Sequence, residues 1–259
     1  MTLLARKRLR RRSRTTVAGF SLALLTGLLA ASLTACGSLT ATSTTTTTST
    51  STTTTVPTTT TIPKLDAEGL LALARHSVVR VRNTGCGELS VGSAWLADDG
   101  RMVSNRHVVE GVRQLEINSW DGRDLQPDGA DIADAADISR IGGAWPPEAR
   151  LTPLKIRTTR VEPGERIAIV GYPEGNELHV ATGVAVGYAT DPDLAPREIL
   201  KLTTVVQPGN SGGPAMDEHG EVVGVVYAKE LATDQSLVIP IADVFGPTAA
   251  GLHPEPGCS

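Results

Sequence analysis

The chain has 259 residues, 40% of them hydrophobic and 20% charged, enough for one or two domains with real cores. Aromatic residues make up only 3%, so any core must be built from Val, Ile, Leu and Ala. The net charge of -4 conceals a split, because Arg6, Lys7, Arg8, Arg10, Arg11, Arg12 and Arg14 crowd into a leader with no acid; without those seven, 17 basic side chains face 28 acidic ones, a net of -11 that argues against nonspecific nucleic-acid binding.

In chain order, the basic leader is followed by an apolar run from Val17 to Leu33 and then by "LTAC", Leu33 to Cys36. That order is the pattern of a secretory signal with a small residue before the cut. The "LTACG" end resembles a bacterial lipobox, which implies that Cys36 becomes the lipidated first residue of the mature chain. The alternative is an uncleaved signal anchor, since the apolar run is nearly long enough to span a bilayer. From Ser38 to Pro63 the chain is almost entirely Thr and Ser, with Pro57 and Pro63. Such a tract has nothing to bury and reads as an extended stalk, open to glycosylation. The expected organisation is therefore a signal peptide over 1–35, a stalk over 36–63 and a folded domain over 64–259. That domain would be exported and held by Cys36 at the outer face of the bacterial cell membrane or envelope.

Asp66 followed by "AEGLLALARHS" predicts a short helix with Asp66 as its N-cap. Next come many short runs rich in Val, Ile and Thr: "SVVRVR", "VGSAWLA", "RMVSNRHVV", "QLEIN", "RIAIVGY", "HVATGVAVGYA", "EILKLTTVV" and "GEVVGVVYA". Gly, Pro, Asp and Asn bound them at the spacing of an all-β barrel or sandwich, and no crossover-length helices separate them, which disfavours a parallel α/β sheet. Beyond Cys36 the only cysteines are Cys86 and Cys258. After export such a pair is expected to form a disulfide tying the C-terminal tail to the first barrel; the alternative is two unpaired thiols. Two sulfurs without a histidine cluster do not suggest a metal site, and no metal or cofactor is expected.

The stretch "QPGNSGGPAM", Gln207 to Met216, surrounds Ser211 with three glycines and two prolines, a rigid loop presenting one hydroxyl. A serine hydroxyl is a weak nucleophile and needs a base, which in turn needs an orienting group. Among five histidines, His107 in "VSNRHVV" stands at the end of a strand-like run where a loop could aim its ring into a cleft. His179 reads as a sheet residue, His219 as part of a solvated turn, and His76 and His253 as helix and tail. For the acid, "DAADISRI" offers Asp134 and Asp137, and Asp137 is favoured because it directly precedes the alternating Ile138 and Ile141.

"NRHVV", "DISRI" and "PGNSGGP" together resemble the three signatures of the trypsin-like, chymotrypsin-fold serine peptidases, in that family's His, Asp, Ser order. "TTVVQPGNSGGPAMDEHGEVVGVV" is similar to the HtrA-like bacterial branch. The resemblance covers roughly Ser77 to Ile241 and implies two packed antiparallel β-barrels after the short N-terminal helix. It implies a serine endopeptidase acting on polypeptides: Ser211 as nucleophile, His107 as base and then acid, Asp137 as orienting carboxylate, and the Gly209 and Ser211 amides as the oxyanion hole. Val205, six residues before Ser211, would line the floor of the specificity pocket; an apolar floor favours small or medium apolar side chains over Lys or Arg. Asn210 replaces the aspartate that pairs with a newly cut N-terminus in digestive members. "GVVYA" lacks the Ser or Thr that often supports the catalytic aspartate, and no PDZ domain fits after the second barrel. A catalytically idle member binding peptides or a partner at the cell surface is the competing expectation.

Overall fold

The computed structural model describes residues 63–133, 136–191, 197–246 and 251–258. The signal, Cys36, the stalk up to residue 62 and Asp134 lie outside them.

The described chain opens on helix α1 (Ala67–Ala74), where the Asp66 side chain accepts from the Gly69 amide at 2.9 Å and so caps the first turn. Strands β1 (Val78–Gly85), β2 (Leu89–Leu96) and β3 (Met102–Ser104) follow, then a helical turn α2 (Arg106–Val109), β4 (Val112–Asn118), β5 (Asp124–Ala133) and β6 (Ser139–Ala144). After a long connection come β7 (Arg166–Gly171), β8 (His179–Asp191), β9 (Arg197–Leu202), β10 (Pro214–Asp217), β11 (Val222–Lys229) and β12 (Ser236–Pro240). A turn α3 (Ile241–Val244) and strand β13 (Leu252–Pro254) complete the described elements. Every pairing between these named strands is antiparallel.

The first six strands close on themselves in the order β5-β4-β1-β2-β3-β6, with β5 pairing β6 to complete the ring; β7 to β12 close a second barrel. The period-two alternation of strands sorts their side chains between two environments. In β7, Ile167 and Ile169 fill the second barrel with Leu200, Leu202 and Val238. The intervening Ala168 and Val170 face a shared layer with Trp95, Val103, Ile138, Met216 and Val225. Val79, Val81, Met102, Ile117, Leu125 and Ile141 fill the first barrel. "RIAIVG" reads as an unbroken apolar run because both of its faces are buried.

The two ends of the domain cross over. Helix α1 precedes the first barrel in sequence yet packs against β7 and β8 of the second; Leu65 N–H donates to Glu218 O at 2.6 Å. Strand β13 follows the second barrel yet joins β5 of the first, pairing His253 with Ile132. His253, read from sequence as tail, is thus a strand residue, and His76 lies just past α1. A disulfide joins Cys86 to Cys258 with Cα atoms 5.4 Å apart, tying the C-terminal segment to the first barrel as expected from the cysteine count. Among the described residues no helix is long and apolar enough to cross a membrane.

Candidate active site

His107 sits in α2 rather than on a strand. The run "RMVSNRHVV" breaks after Ser104 because polar side chains there bond across the barrel: Ser104 Oγ donates to Ser93 O at 2.7 Å, and Asn105 Nδ2 to Asp137 O at 2.7 Å. Asn105 keeps an extended backbone, φ -85° and ψ 154°, and the chain then turns through α2. Ser139 Oγ closes the arrangement by donating to Asn105 O at 3.0 Å.

Asp137 stands just before β6, in the position inferred from Ile138 and Ile141, both fully buried. Its Oδ2 lies 2.6 Å from His107 Nδ1 and its Oδ1 accepts the His107 backbone N–H at 2.9 Å. Opposite a carboxylate, Nδ1 must carry the proton, which leaves Nε2 as the basic nitrogen. The Asp137 side chain is 14% exposed and that of His107 44%, so the carboxylate is the sheltered partner and the ring faces a cleft.

The Ser211 loop is held against β2. Ser93 N–H donates to Ser211 O at 2.8 Å, Ser93 Oγ donates to Gly209 O at 2.7 Å, and the same oxygen accepts Tyr172 N–H at 3.0 Å. One buried serine therefore holds both sides of the Ser211 loop and the start of the β7–β8 connection. Two glycines make the close approach possible. Gly209 (φ 94°) packs on Tyr172 O and Gly212 (φ 84°) on Ser93 O and Ser104 Oγ, where a Cβ has no room and the left-handed backbone favours glycine. Asn210 N–H donates to Gln207 O, whereas the Gly209 and Ser211 amides donate to no protein acceptor among the described residues. Ser211 Oγ itself donates to Tyr227 O at 3.4 Å; no hydrogen bond joins it to His107 among the described residues.

Of two cavities here, one is lined by Ser211 and the other by His107. One, about 500 Å³, is lined by Val205, Val206, Ser211, Val226, Ala228 and Lys229. Val205 is 56% exposed there and forms an open wall; the buried apolar surface comes from Val206 and Val226. Lys229 is paired with Asp234 at 3.0 Å. The other cavity, about 470 Å³, reaches from His107 to Cys86. Among the described residues no group of His, Cys, Asp and Glu is arranged to hold a metal.

Ser93 and Asn105 were not legible as site residues, since a serine inside "VGSAWLA" and an asparagine before "RHVV" carry no signal until the fold joins them. Tyr172 was likewise missed. Burial pushes its phenol well above the ordinary range, keeping it a neutral donor to Val78 O at 3.3 Å.

Residues 92–225 match the trypsin-like peptidase domain model. The putative serine protease HhoB of Synechocystis is 31% identical over 147 residues, 53% of this chain and 34% of that protein. The serine protease Rv3671c of Mycobacterium tuberculosis is 24% identical over 192 residues, 70% of this chain and 47% of that one. The chain thus spans about a third to a half of the length of these two relatives. The crystal structure of the active form of Rv3671c superposes with a TM-score of 0.62 at 20% identity, covering 73% of this chain and 86% of that one. The HtrA-type protease AlgW with a tripeptide superposes at 0.59 and 22% identity, covering 68% and 60%. A six-stranded pair of barrels, the His107–Asp137 couple on one and the Ser211 loop on the other, and a family model matched across the span between them lead to one assignment: the chain belongs to the trypsin-like peptidase family.

Proposed function

We propose that the chain is a serine endopeptidase that hydrolyses polypeptides through an acyl-enzyme. The observation that carries this reading is the double grip of Asp137 on His107, which fixes the tautomer with Nε2 free to accept a proton. Ser211 Oγ attacks the scissile carbonyl while His107 Nε2 takes its proton; the tetrahedral oxyanion is held by the Gly209 and Ser211 amides. His107 then delivers the proton to the departing amine, the peptide's C-terminal half leaves, and water repeats the sequence on the acyl-enzyme to restore Ser211. The first cavity takes the side chain on the acyl side of the bond. Its apolar lining and Lys229 disfavour Lys and Arg and suit small or medium apolar residues.

The folded domain over 64–259 is carried on the 36–63 stalk and anchored at the outer face of the bacterial envelope by a lipid on Cys36. Replacing Cys36 by Ala is expected to move the protein from the membrane to the soluble fraction; unchanged fractionation would remove the lipid anchor and favour a signal anchor.

The test of the enzyme reading is covalent labelling of the full-length chain by a fluorophosphonate probe, with Ser211→Ala as control. Labelling of Ser211 is the expected result. A second reading, an idle peptide-binding member of the family, draws on the Ser211 hydroxyl facing Tyr227 O instead of the imidazole. It predicts a folded protein that the probe does not mark. Hydrogen bonds of such sites are often long or misaligned before substrate binds, so the hydroxyl's orientation does not by itself decide against turnover.

A further inference from the structure

Arg80 stands in β1, directly opposite Ser93 of β2 in the antiparallel register. Residues so placed share a face of the sheet, and because Val79 and Val81 fill the first barrel, Arg80 and Ser93 face away from its interior. Arg80 is in no ion pair among the described residues. Its guanidinium fork is directed at two neutral acceptors instead: Nη1 donates to Gly175 O and Nη2 to Asn118 Oδ1, each at 3.0 Å. Asn118 is held in turn, its Nδ2 donating to Asp124 Oδ1 at 2.5 Å. Gly175 closes a turn that needs holding. Within it Glu174 has φ 56° and Gly175 φ 72°, and a left-handed backbone is costly for a residue with a Cβ. Gly175 N–H donates to Tyr172 O at 2.9 Å, and Glu174 N–H donates to Pro208 O at 2.6 Å.

The bond from Glu174 meets the Ser211 loop at the peptide that matters most. The Pro208 carbonyl and the Gly209 N–H belong to one planar unit, so holding the carbonyl sets the direction in which the amide points. A peptide whose carbonyl accepts a bond also donates its own N–H more strongly. The next carbonyl, Gly209 O, is held by Ser93 Oγ. We propose that Arg80 is a positioning residue for the oxyanion hole: its bond to Gly175 O holds the 172–176 turn, and the turn, through Glu174 N–H, keeps the Gly209 amide aimed at the reacting carbonyl. The role rests on the peptidase reading, which gives the Gly209 amide to the oxyanion. A guanidinium suits it because the planar fork bonds Gly175 O and Asn118 Oδ1 at once, and a charge-assisted bond is stronger than a neutral one. Both supports of the Gly209 segment then trace to facing positions on the first barrel, Arg80 and Ser93.

The test uses the full-length chain with Arg80→Met and Arg80→Lys, circular dichroism reporting that each folds. Hydrogen exchange at the Glu174 amide, read in the Ser211→Ala background, follows the brace without turnover, and Arg80→Met is expected to speed it about tenfold. Saturation kinetics with a fluorophosphonate probe follow the consequence. The maximal labelling rate should fall about tenfold in Arg80→Met with the probe's apparent binding constant unchanged, less than the roughly 10²–10³ lost when an oxyanion donor is removed outright. Arg80→Lys, which can reach Gly175 O but cannot bridge both acceptors, should return the rate to within about threefold of the native chain. The pH midpoint of labelling should not move, since the bonds between His107 and Asp137 are untouched. Exchange at Glu174 that matches the native chain overturns the proposal. So does faster exchange at an unchanged maximal rate, which would make Arg80 a packing residue alone. Faster exchange in a protein whose native form the probe never marks would leave the brace standing and remove the peptidase reading instead.

Discussion

Asp137 holds His107 at two points, taking its backbone N–H on Oδ1 and its ring Nδ1 on Oδ2. Replacing Asp137 by Asn keeps the shape of the side chain but offers an amide where the imidazole needs an acceptor, favouring the wrong tautomer. The expected outcome is a fall in kcat of about 10³–10⁴-fold with little change in thermal midpoint. Steady-state kinetics beside a thermal melt would check it; a comparable loss in Tm would instead make Asp137 structural.

Ser93 is the joint between the first barrel and the Ser211 loop. In Ser93→Ala the Tyr172 amide and Gly209 carbonyl lose their buried partner. Unfolding in urea is expected to show about 1–3 kcal/mol less stability. The rate of fluorophosphonate labelling should fall as well, because the turn holding the Gly209 and Ser211 amides loses its support. Stability lost at an unchanged labelling rate would confine Ser93 to packing.

The C-terminal segment is bonded covalently to the β1–β2 hairpin at Cys86 and noncovalently to the loop after His107 at Gly111. Glu255 accepts the Gly111 and Gly257 amides, each at 2.7 Å. Cys86→Ser/Cys258→Ser removes a crosslink spanning 172 residues and should cost about 2–5 kcal/mol in equilibrium unfolding. Glu255→Ala should leave the crosslink intact and speed hydrogen exchange at Gly111 and Gly257. Exchange there that matches the native chain would assign the bracing to the disulfide alone.

Arg157 pairs with Glu165 at 2.6 Å and with the buried Asp217 at 3.4 Å. Its guanidinium holds the Glu165 carboxyl below the ordinary carboxylate range. Because the folded-state value is depressed, the pairing stabilises the fold above the ordinary value and loses that contribution as pH falls through the depressed one. Arg157→Met should cost about 3–5 kcal/mol near neutrality, chiefly by leaving Asp217 buried without its cation. Its stability should also decline less steeply below about pH 4.5 than that of the native chain. Parallel curves of stability against pH would show that the pair is not the source of acid sensitivity.

Much of the fold was legible because both barrels are written in short Val- and Ile-rich runs, and Asp66 announced its helix directly. The pairing of His107 with Asp137 could be expected for a different reason: each lies in a short local motif, as Ser211 does. What escaped depends on partners far along the chain. Nothing in "LHP" announces a strand, and β13 exists because β5 offers an edge to it. The helical turn under His107 depends on Ser93 and Asp137, 11 residues from Ser104 and 32 from Asn105 respectively. The exposure of Val205 likewise reflects its place in the connection between β9 and β10, which its six-residue offset from Ser211 cannot reveal.

Each barrel is sealed by a piece of polypeptide belonging to the other side of the sequence: α1 lies on the second, β13 and Cys258 on the first. Cutting the gene between the barrels would therefore yield two halves, each missing its own clasp and carrying its neighbour's. Such halves should be poor solo folders that regain order when mixed, and swapping a single barrel between homologues would succeed only if the matching clasp travelled with it.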